Sequence, residues 1–394
     1  MSHQNFSRGA IVVMSAALLL ADVLTAISVS AAPAVTATSN PSTAANRPPD
    51  LNEKSKQVDA IFASFVTEDS PGGAVIVIQD GKILHKAGYG LADIEEGTPI
   101  TASSIFHLGS VGKQFTGLAV MMLAEEGKLQ YDDPIGEYLP ELARFGDNLT
   151  IRHLLHHTSG LPDYYDEGEL NEKLLEAAEM PTNEDALALL AEIGEIQFTP
   201  GETFSYSNAG YEMLGSLIEQ VSGQSYATFM QERIFDPLGM EHTFSQPNSE
   251  RLNDPDLVHS YVREGDQIEA YDSDPFDYLV GSGSFYTTVE DMALYDQALY
   301  TDKLVKQSTL AEAFEPALLN SGIESRYGFG WELGTNSSER YVAHSGEWLG
   351  FSSYYARFPE QRLAVIVLTN RTYDLPGLGD VAFEIADLYL EKCP

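Results

Sequence analysis

A serine and a lysine three residues apart, Ser110 and Lys113, lie in the stretch IFHLGSVGKQFTG at residues 105–117. The pattern predicts the start of a helix, on which residues at this spacing share one face and can exchange a proton. A partly desolvated amine can activate a serine hydroxyl, which is otherwise a weak nucleophile. Ser110 is therefore a candidate nucleophile and Lys113 its base. An ordinary helix start, with the serine as cap and the lysine exposed, has the same spacing.

A second polar pair, Tyr206 and Asn208, lies in the turn-prone segment FSYSNAGY. The two side chains can project to the same side because they are two residues apart. A tyrosine hydroxyl can shuttle a proton if a nearby cation favours its phenolate, and an asparagine amide can hold a carbonyl substrate and bind Lys113. The alternative roles are packing for Tyr206 and helix capping for Asn208, and capping is compatible with function.

A third group lies in VAHSGEWLGF, at residues 342–351. We expect His344 to face a cleft from a strand, and the small residues Ser345 and Gly346 to let a substrate pair with the strand backbone. The N–H of Glu347 can then join the N–H of Ser110 as an oxyanion hole. Taken alone, the His-Ser-Gly step fits a simple β-turn equally well.

The order of these motifs, Ser-x-x-Lys, Tyr-x-Asn and His-x-Gly, resembles that of the serine β-lactamase and penicillin-binding-protein-like superfamily. It is most similar to the branch of class C β-lactamases, D-alanyl-D-alanine carboxypeptidases and related esterases. The resemblance extends from about Leu51 to Leu390. Further matching segments are Gly127-Lys128-Leu129, Asp132-Asp133-Pro134, IRHLLHHTSGLP (151–162), Pro200-Gly201, Gly281-Ser282-Gly283, YGFGW (327–331) and Leu368-Thr369-Asn370.

This resemblance implies an acyl-enzyme mechanism without a cofactor. Ser110 would attack a carbonyl, Lys113 and Tyr206 would move its proton to the leaving group, and the two backbone N–H groups would hold the oxyanion. Water would then release the acyl group. Asn208 would orient the substrate and the lysine. His344 would assist the proton network of the tyrosine or the anionic end of the substrate.

Two residues depart from the pattern of true β-lactamases. Lysine is usual at the position of His344, where its fixed charge draws the substrate carboxylate, whereas the charge of a histidine depends on pH. Glu347 adds a negative charge nearby. We therefore expect an esterase or a D-amino-acid peptidase or carboxypeptidase, acting on a small molecule or peptide. The alternatives are a β-lactamase and a non-catalytic binding or sensor protein on the same scaffold.

The elements that must position these motifs are strands at both ends of the chain and helices between them. An amphipathic helix at Leu51–Val66 precedes a β-hairpin over residues 74–90. Three more strands are predicted at Tyr341–His344, Phe351–Phe358 and Leu363–Thr369, before a closing helix at Asp380–Leu390. The predicted fold class is α/β (α+β): an antiparallel sheet built from both chain ends and flanked by helices, with an inserted, mostly helical lobe at about 127–314. The cleft between the lobes would hold the site.

Acidic residues outnumber basic ones 59 to 22 among the 394 residues, which gives a formal net charge of −37. A field of this sign repels nucleic acid and anionic membrane surfaces, so neither is an expected partner. The acids are spread along the chain, which is typical of a protein kept soluble in saline surroundings. No feature of the sequence predicts an oligomeric state.

No metal site is predicted. The single cysteine, Cys393, provides neither a zinc-ligand set nor an intramolecular disulfide. His153 and His157 are one helical turn apart, but no third ligand is evident, so we expect structural roles for them. An α/β-hydrolase is excluded because the sequence contains no G-x-S-x-G.

The N-terminus has the layout of a secretory signal: Arg8, the apolar run Ile11–Ala21, and small residues that end at Val29-Ser30-Ala31. The apolar run is shorter than the roughly 18 to 20 residues that a spanning helix needs, so no integral membrane segment is expected in the mature chain. The predicted organisation is a signal peptide at 1–31, a disordered linker at 32–50 and a hydrolase domain at 51–394. The protein would then be periplasmic or secreted.

Overall fold

The computed structural model describes residues 49–165, 168–246, 251–336 and 338–390. The predicted signal peptide, almost all of the predicted linker and Cys393 lie outside these residues. Within the described ranges, no helix has the length and apolar character needed to cross a membrane.

The described residues form the following elements. The helices are α1 (Pro49–Ala63), α2 (Lys113–Glu125), α3 (Ile151–Leu155), α4 (Glu169–Ala177), α5 (Asn183–Ile193), α6 (Asn208–Ser222), α7 (Tyr226–Met230), α8 (Asp236–Leu238), α9 (Val289–Ala298), α10 (Gln307–Glu312) and α11 (Leu378–Tyr389). The strands are β1 (Gly73–Gln79), β2 (Lys82–Tyr89), β3 (Leu91–Asp93), β4 (Thr98–Pro99), β5 (Phe106–His107), β6 (Phe244–Ser245), β7 (Tyr261–Glu264), β8 (Gln267–Ala270), β9 (Phe285–Thr287), β10 (Glu332–Asn336), β11 (Glu339–Trp348), β12 (Phe351–Phe358) and β13 (Leu363–Thr369).

A six-stranded antiparallel sheet combines the two ends of the chain in the order β10-β11-β12-β13-β1-β2. The ends meet where β13 pairs with β1, with Gly73 opposite Thr369 and Gln79 opposite Leu363. The mixed α/β fold with an antiparallel sheet and flanking helices is therefore confirmed.

The apolar runs of the central strands fill two cores, because successive side chains point to opposite faces of a sheet. In β1, Val75 and Val77 pack with α1 and α11 on one face. Ile76 and Ile78 pack on the other face, in the core that continues into the helical part. Most side chains of α2 are buried in this second core, so α2 forms the junction between the sheet and the helices.

The structure adds strands that the sequence pattern does not show. The edge strand β10 has no apolar alternation, because an edge strand pairs on one side only and is less buried. Between residues 127 and 314, the short strand β6 joins β5 and β9 in a small sheet, and β7 pairs with β8. The helices of this region pack mainly through α6, which contacts α2, α3, α5 and α7.

Candidate active site

Ser110 lies on a 3₁₀ turn, Gly109–Gly112, that leads into α2. The sequence pattern predicts the start of a helix here, but Gly109 has φ 53°, a left-handed conformation that an α-helix excludes. The Nδ1 atom of His107 accepts the Gly109 N–H at 3.0 Å and holds this bend. The turn leaves Ser110 half-buried at the edge of a cleft.

Lys113 follows on the first turn of α2 and is completely buried. Its Nζ donates to Asn208 Oδ1 at 2.7 Å, to the Ser282 carbonyl at 2.7 Å and to Ser110 Oγ at 3.1 Å. The expected pairing of serine and lysine is present, and the ammonium group has an acceptor for each of its protons.

Burial lowers the pKa of Lys113 to about 7, although the carboxylates of Glu212 and Asp163 oppose the shift. A substantial fraction of the amine is therefore neutral near pH 7. A neutral amine has two protons and a lone pair. If the protons stay on the shorter bonds to Asn208 and Ser282, the lone pair points at Ser110, as general-base catalysis requires.

Asn208 is the first residue of α6, and the residue before it, Ser207, is the cap. The Ser207 hydroxyl accepts the Gly210 N–H at 3.0 Å, so the capping role that we considered for Asn208 belongs to its neighbour. Asp163 Oδ2 accepts the Asn208 N–H at 2.7 Å. This arrangement leaves the Asn208 amide free to hold Lys113. No local sequence pattern indicates Asp163.

Tyr206 lies close enough to Ser110 for the serine side chain to oppose the rise in the tyrosine pKa, while two fifths of the residue's surface is exposed. Lys113 Nζ lies 4.8 Å from the centroid of the Tyr206 ring, so the cation faces the ring and not the hydroxyl. Burial raises the pKa of the hydroxyl. The phenolate is therefore not favoured, and Tyr206 can relay a proton only as a neutral hydroxyl.

His157 supports Tyr206 from the protein side, which the sequence did not indicate. Its ring centroid is 4.3 Å from that of Tyr206 and 4.6 Å from that of Tyr327, and its Nδ1 accepts the Ser207 N–H at 3.1 Å. His153, by contrast, closes the capping box of α3 with Thr150. Among the described residues, no group of three or more His, Cys, Asp or Glu side chains is placed to hold a metal.

His344 is buried behind Tyr206 and Tyr327 and is not among the residues that line the cleft beside Ser110. Its Nε2 accepts from the Tyr327 hydroxyl at 2.8 Å, and its Nδ1 donates to the Ser345 carbonyl at 2.5 Å. Burial, with a smaller effect of Lys113, lowers its pKa to about 3. We expected His344 to face the cleft, but the alternation of β11 turns it inward and leaves Ser345 and Glu347 outward.

The nucleophile turn packs directly on the backbone of β11. A Cβ added to Gly109 would lie 2.6 Å from the Glu347 nitrogen, and one added to Gly346 would lie 3.0 Å from the Ser110 nitrogen and collide with the Leu108 carbonyl. Glycine at both positions allows this approach. The backbone nitrogens of Ser110 and Glu347 therefore lie on either side of one contact.

The cleft beside Ser110 has an aromatic wall and acidic groups. Tyr165 contacts Phe276 and Trp348, with ring centroids 5.4 and 5.8 Å apart. Asp277 and Glu347 also line the cleft, and burial raises the pKa of Asp277 to about 6. No lysine or arginine is among the described residues of this lining.

Comparison with known proteins shows which proteins this chain is similar to. The family described as Beta-lactamase matches residues 58–390. Penicillin-binding protein 4* of Bacillus subtilis (strain 168) is 34% identical over 336 residues, which cover 82% of this chain and 73% of that protein. Protein flp of Staphylococcus aureus (strain MW2) is 29% identical over 330 residues, which cover 81% of this chain but only 64% of flp.

Among solved structures, the octameric penicillin-binding protein homologue from Pyrococcus abyssi has a TM-score of 0.74 at 27% sequence identity. The match covers 86% of this chain and 77% of that one. The β-lactamase/transpeptidase-like fold expected from the order of the motifs is therefore confirmed.

Proposed function

The chain belongs to the Beta-lactamase family and is a serine hydrolase, and we propose that it cleaves an ester or amide bond through an acyl-enzyme on Ser110. The observation that carries this proposal is the position of Lys113. A buried amine with a pKa near 7 has two short hydrogen bonds to other groups and a third, longer one to the serine. This is the arrangement of a base with its nucleophile.

The other groups of the site support the remaining steps. As Ser110 Oγ attacks the carbonyl carbon, its proton passes to Lys113 and the negative charge develops on the carbonyl oxygen. The N–H groups of Ser110 and Glu347 stabilise this oxyanion. The neutral Tyr206 hydroxyl then relays the proton from Lys113 to the leaving group as the tetrahedral intermediate collapses. Water then hydrolyses the acyl-enzyme with Lys113 again as base.

The charge of the cleft favours substrates without a carboxylate near the reacting bond. Asp277 and Glu347 would repel such a group, and the buried, neutral His344 does not supply the positive charge of a lysine. An ester, or an amide of the D-amino-acid peptide type, fits this cleft better than a substrate with a free carboxylate at that point.

A β-lactam is the second candidate substrate. The observation that favours it is the similarity to penicillin-binding protein 4*, while the acidic cleft argues against efficient turnover. The proposal places the enzyme in the periplasm or outside the cell. Export is inferred from the signal-like residues 8–31 alone, and these lie outside the described residues.

The proposal is tested with p-nitrophenyl esters, D-amino-acid peptides and nitrocefin, and with fluorophosphonate labelling followed by mass spectrometry. Ser110→Ala should lose both turnover and the adduct, whereas Ser64→Ala, which changes an exposed serine after α1, should keep both. Equal turnover by wild type and Ser110→Ala would refute the mechanism. Nitrocefin turnover far above ester turnover would favour the β-lactamase, and a chain without any adduct would be a binding or sensor protein.

A further inference from the structure

A completely buried carboxyl group, that of Glu212, lies one turn after Asn208 on α6. Its Oε1 accepts hydrogen bonds from the Tyr165 hydroxyl at 2.6 Å and from the Ser282 hydroxyl at 2.9 Å. The Tyr164 hydroxyl donates to Oε2. Burial raises the pKa of Glu212 to about 7, although the three hydroxyl donors favour the ionised form and oppose this shift.

Ser282 connects this carboxylate to the lysine base. Its side chain donates to Glu212, and its backbone carbonyl accepts from Lys113 Nζ at 2.7 Å. Gly281 and Gly283, on either side of Ser282, allow this segment to pack between α6 and the turn that carries Ser110. A Cβ added to Gly281 would lie 3.1 Å from the Glu212 Cα, and one added to Gly283 would lie 2.7 Å from the Gly109 carbonyl oxygen. The orientation of the Ser282 carbonyl thus depends on both sides of this contact.

Tyr165 connects the same carboxylate to the substrate cleft. Its hydroxyl is fixed by Glu212, and its ring lines the cleft beside Ser110 and touches Trp348. Loss of the carboxylate would release this wall. A phenylalanine in place of Tyr165 would fill the same space but would lack the hydroxyl that Glu212 holds.

Glu212 also acts on Lys113 through charge. The carboxylates of Glu212 and Asp163 and the rings of Tyr206 and Tyr211 face the lysine. Two histidines, His157 and His344, are also near it, and burial together with the charge of Lys113 lowers their pKa values. Both carboxylates raise the pKa of Lys113 against the effect of burial, and Glu212 has the larger effect of the two.

We propose that Glu212 is a positioning residue of the acyl-transfer site, which holds the Ser282 carbonyl against Lys113 and Tyr165 against the cleft. The inference rests on the proposed function, since it concerns the base that activates Ser110. Helix α6 would then have two roles: its first turn places Asn208 against Lys113, and its second turn places Glu212, which holds the Ser282 carbonyl and Tyr165.

The test is the rate of fluorophosphonate labelling of Ser110 as a function of pH. Glu212→Gln keeps the size of the side chain and removes its charge. We expect the acid limb of the labelling rate to move to lower pH by up to roughly one unit, because Lys113 loses a carboxyl group that favours its charged form when ionised. Asp291→Asn is the matched control: Asp291 is a buried carboxyl on α9 that accepts from Thr243, and its replacement should leave the acid limb unchanged.

Tyr165→Phe is the second variant, which removes one hydrogen bond from the carboxylate and keeps the ring. We expect its KM for a p-nitrophenyl ester to rise several-fold with a smaller change in kcat, because the wall is loosened while the base is intact. If Glu212→Gln does not fold, the KM and kcat of Tyr165→Phe test the proposal instead.

The outcomes separate the two proposals. Wild type without an adduct on Ser110 would refute the proposed function. A wild-type adduct together with an unshifted acid limb in folded Glu212→Gln would overturn the inference and leave Glu212 a structural residue. An unchanged KM and kcat in Tyr165→Phe would show that the hydrogen bond to Glu212 does not position Tyr165 in the cleft wall.

Discussion

Lys113 and Tyr206 differ in their strength as general bases because burial shifts their pKa values in opposite directions. Burial disfavours the charged form of both, which makes the lysine a better base and the tyrosine a poorer one. The cation lies over the tyrosine ring and not beside its oxygen. At the residue scale, we therefore propose that the proton of Ser110 goes to the amine.

The pH dependence of kcat/KM for a neutral ester should report Lys113. Its pKa in the folded enzyme is lowered to about 7, so the neutral base becomes more populated, and activity rises, as the pH increases through about 7. Lys113→Arg should lose roughly 10²- to 10⁴-fold in kcat/KM, because a guanidinium stays protonated and cannot accept the proton.

The control for this prediction is Lys128→Arg, which changes a partly exposed lysine paired with Glu126 and should keep the wild-type profile. A profile that is flat between pH 5 and 9, or an active Lys113→Arg variant, would assign the base to another group.

At the scale of elements, the site depends on one backbone contact between the turn at Gly109 and strand β11. The carbonyl of Leu108 lies against Gly346, where there is no room for a side chain, and the Ser353 hydroxyl donates to the same carbonyl at 2.6 Å. The contact fixes the distance between the N–H groups of Ser110 and Glu347, which we propose as the oxyanion hole, although these residues are far apart in the chain.

Gly346→Ala should therefore lower kcat roughly 10²- to 10³-fold, the cost of losing an oxyanion-hole donor, because the added methyl pushes β11 away from the turn. Gly210→Ala is the matched control in α6, where an added Cβ meets nothing closer than 3.6 Å. Both variants are to be compared by steady-state kinetics and circular dichroism. A folded Gly346→Ala enzyme with wild-type kcat would show that the contact does not set the oxyanion hole.

At the scale of the whole molecule, 59 acidic residues repel one another with only 22 basic residues to compensate them. Such repulsion favours the expanded, unfolded chain at low ionic strength, and salt screens it over distances of about 10 Å at 0.1 M.

The melting temperature should therefore rise by roughly 5 °C between 0.05 and 1 M KCl, measured by circular dichroism, and esterase activity should persist at high salt. Potassium chloride is preferred to a sulfate, which would stabilise the fold by exclusion from its surface. A melting temperature that falls, or activity that collapses as salt increases, would contradict the prediction.

The sequence by itself determined the features that depend on local pattern. The short, β-branched apolar run of β1 predicted a strand, and β12 and β13 have the predicted limits. The order of the three motifs indicated the family and the pairing of Ser110 with Lys113. The strands and the pairing of Ser110 with Lys113 follow from residues that are near neighbours in the chain, where spacing alone sets geometry.

Only the tertiary structure decided how the site is tuned. The pKa of Lys113, the neutral and inward-facing His344, and the environments of Asp163 and Glu212 depend on segments that are distant in the chain, such as Lys113 and Asn208, which are 95 residues apart. The edge strand β10 escaped prediction for a similar reason, since its partner and not its own pattern makes it a strand. Desolvation and charge depend on what folding brings together, and a motif does not contain that information.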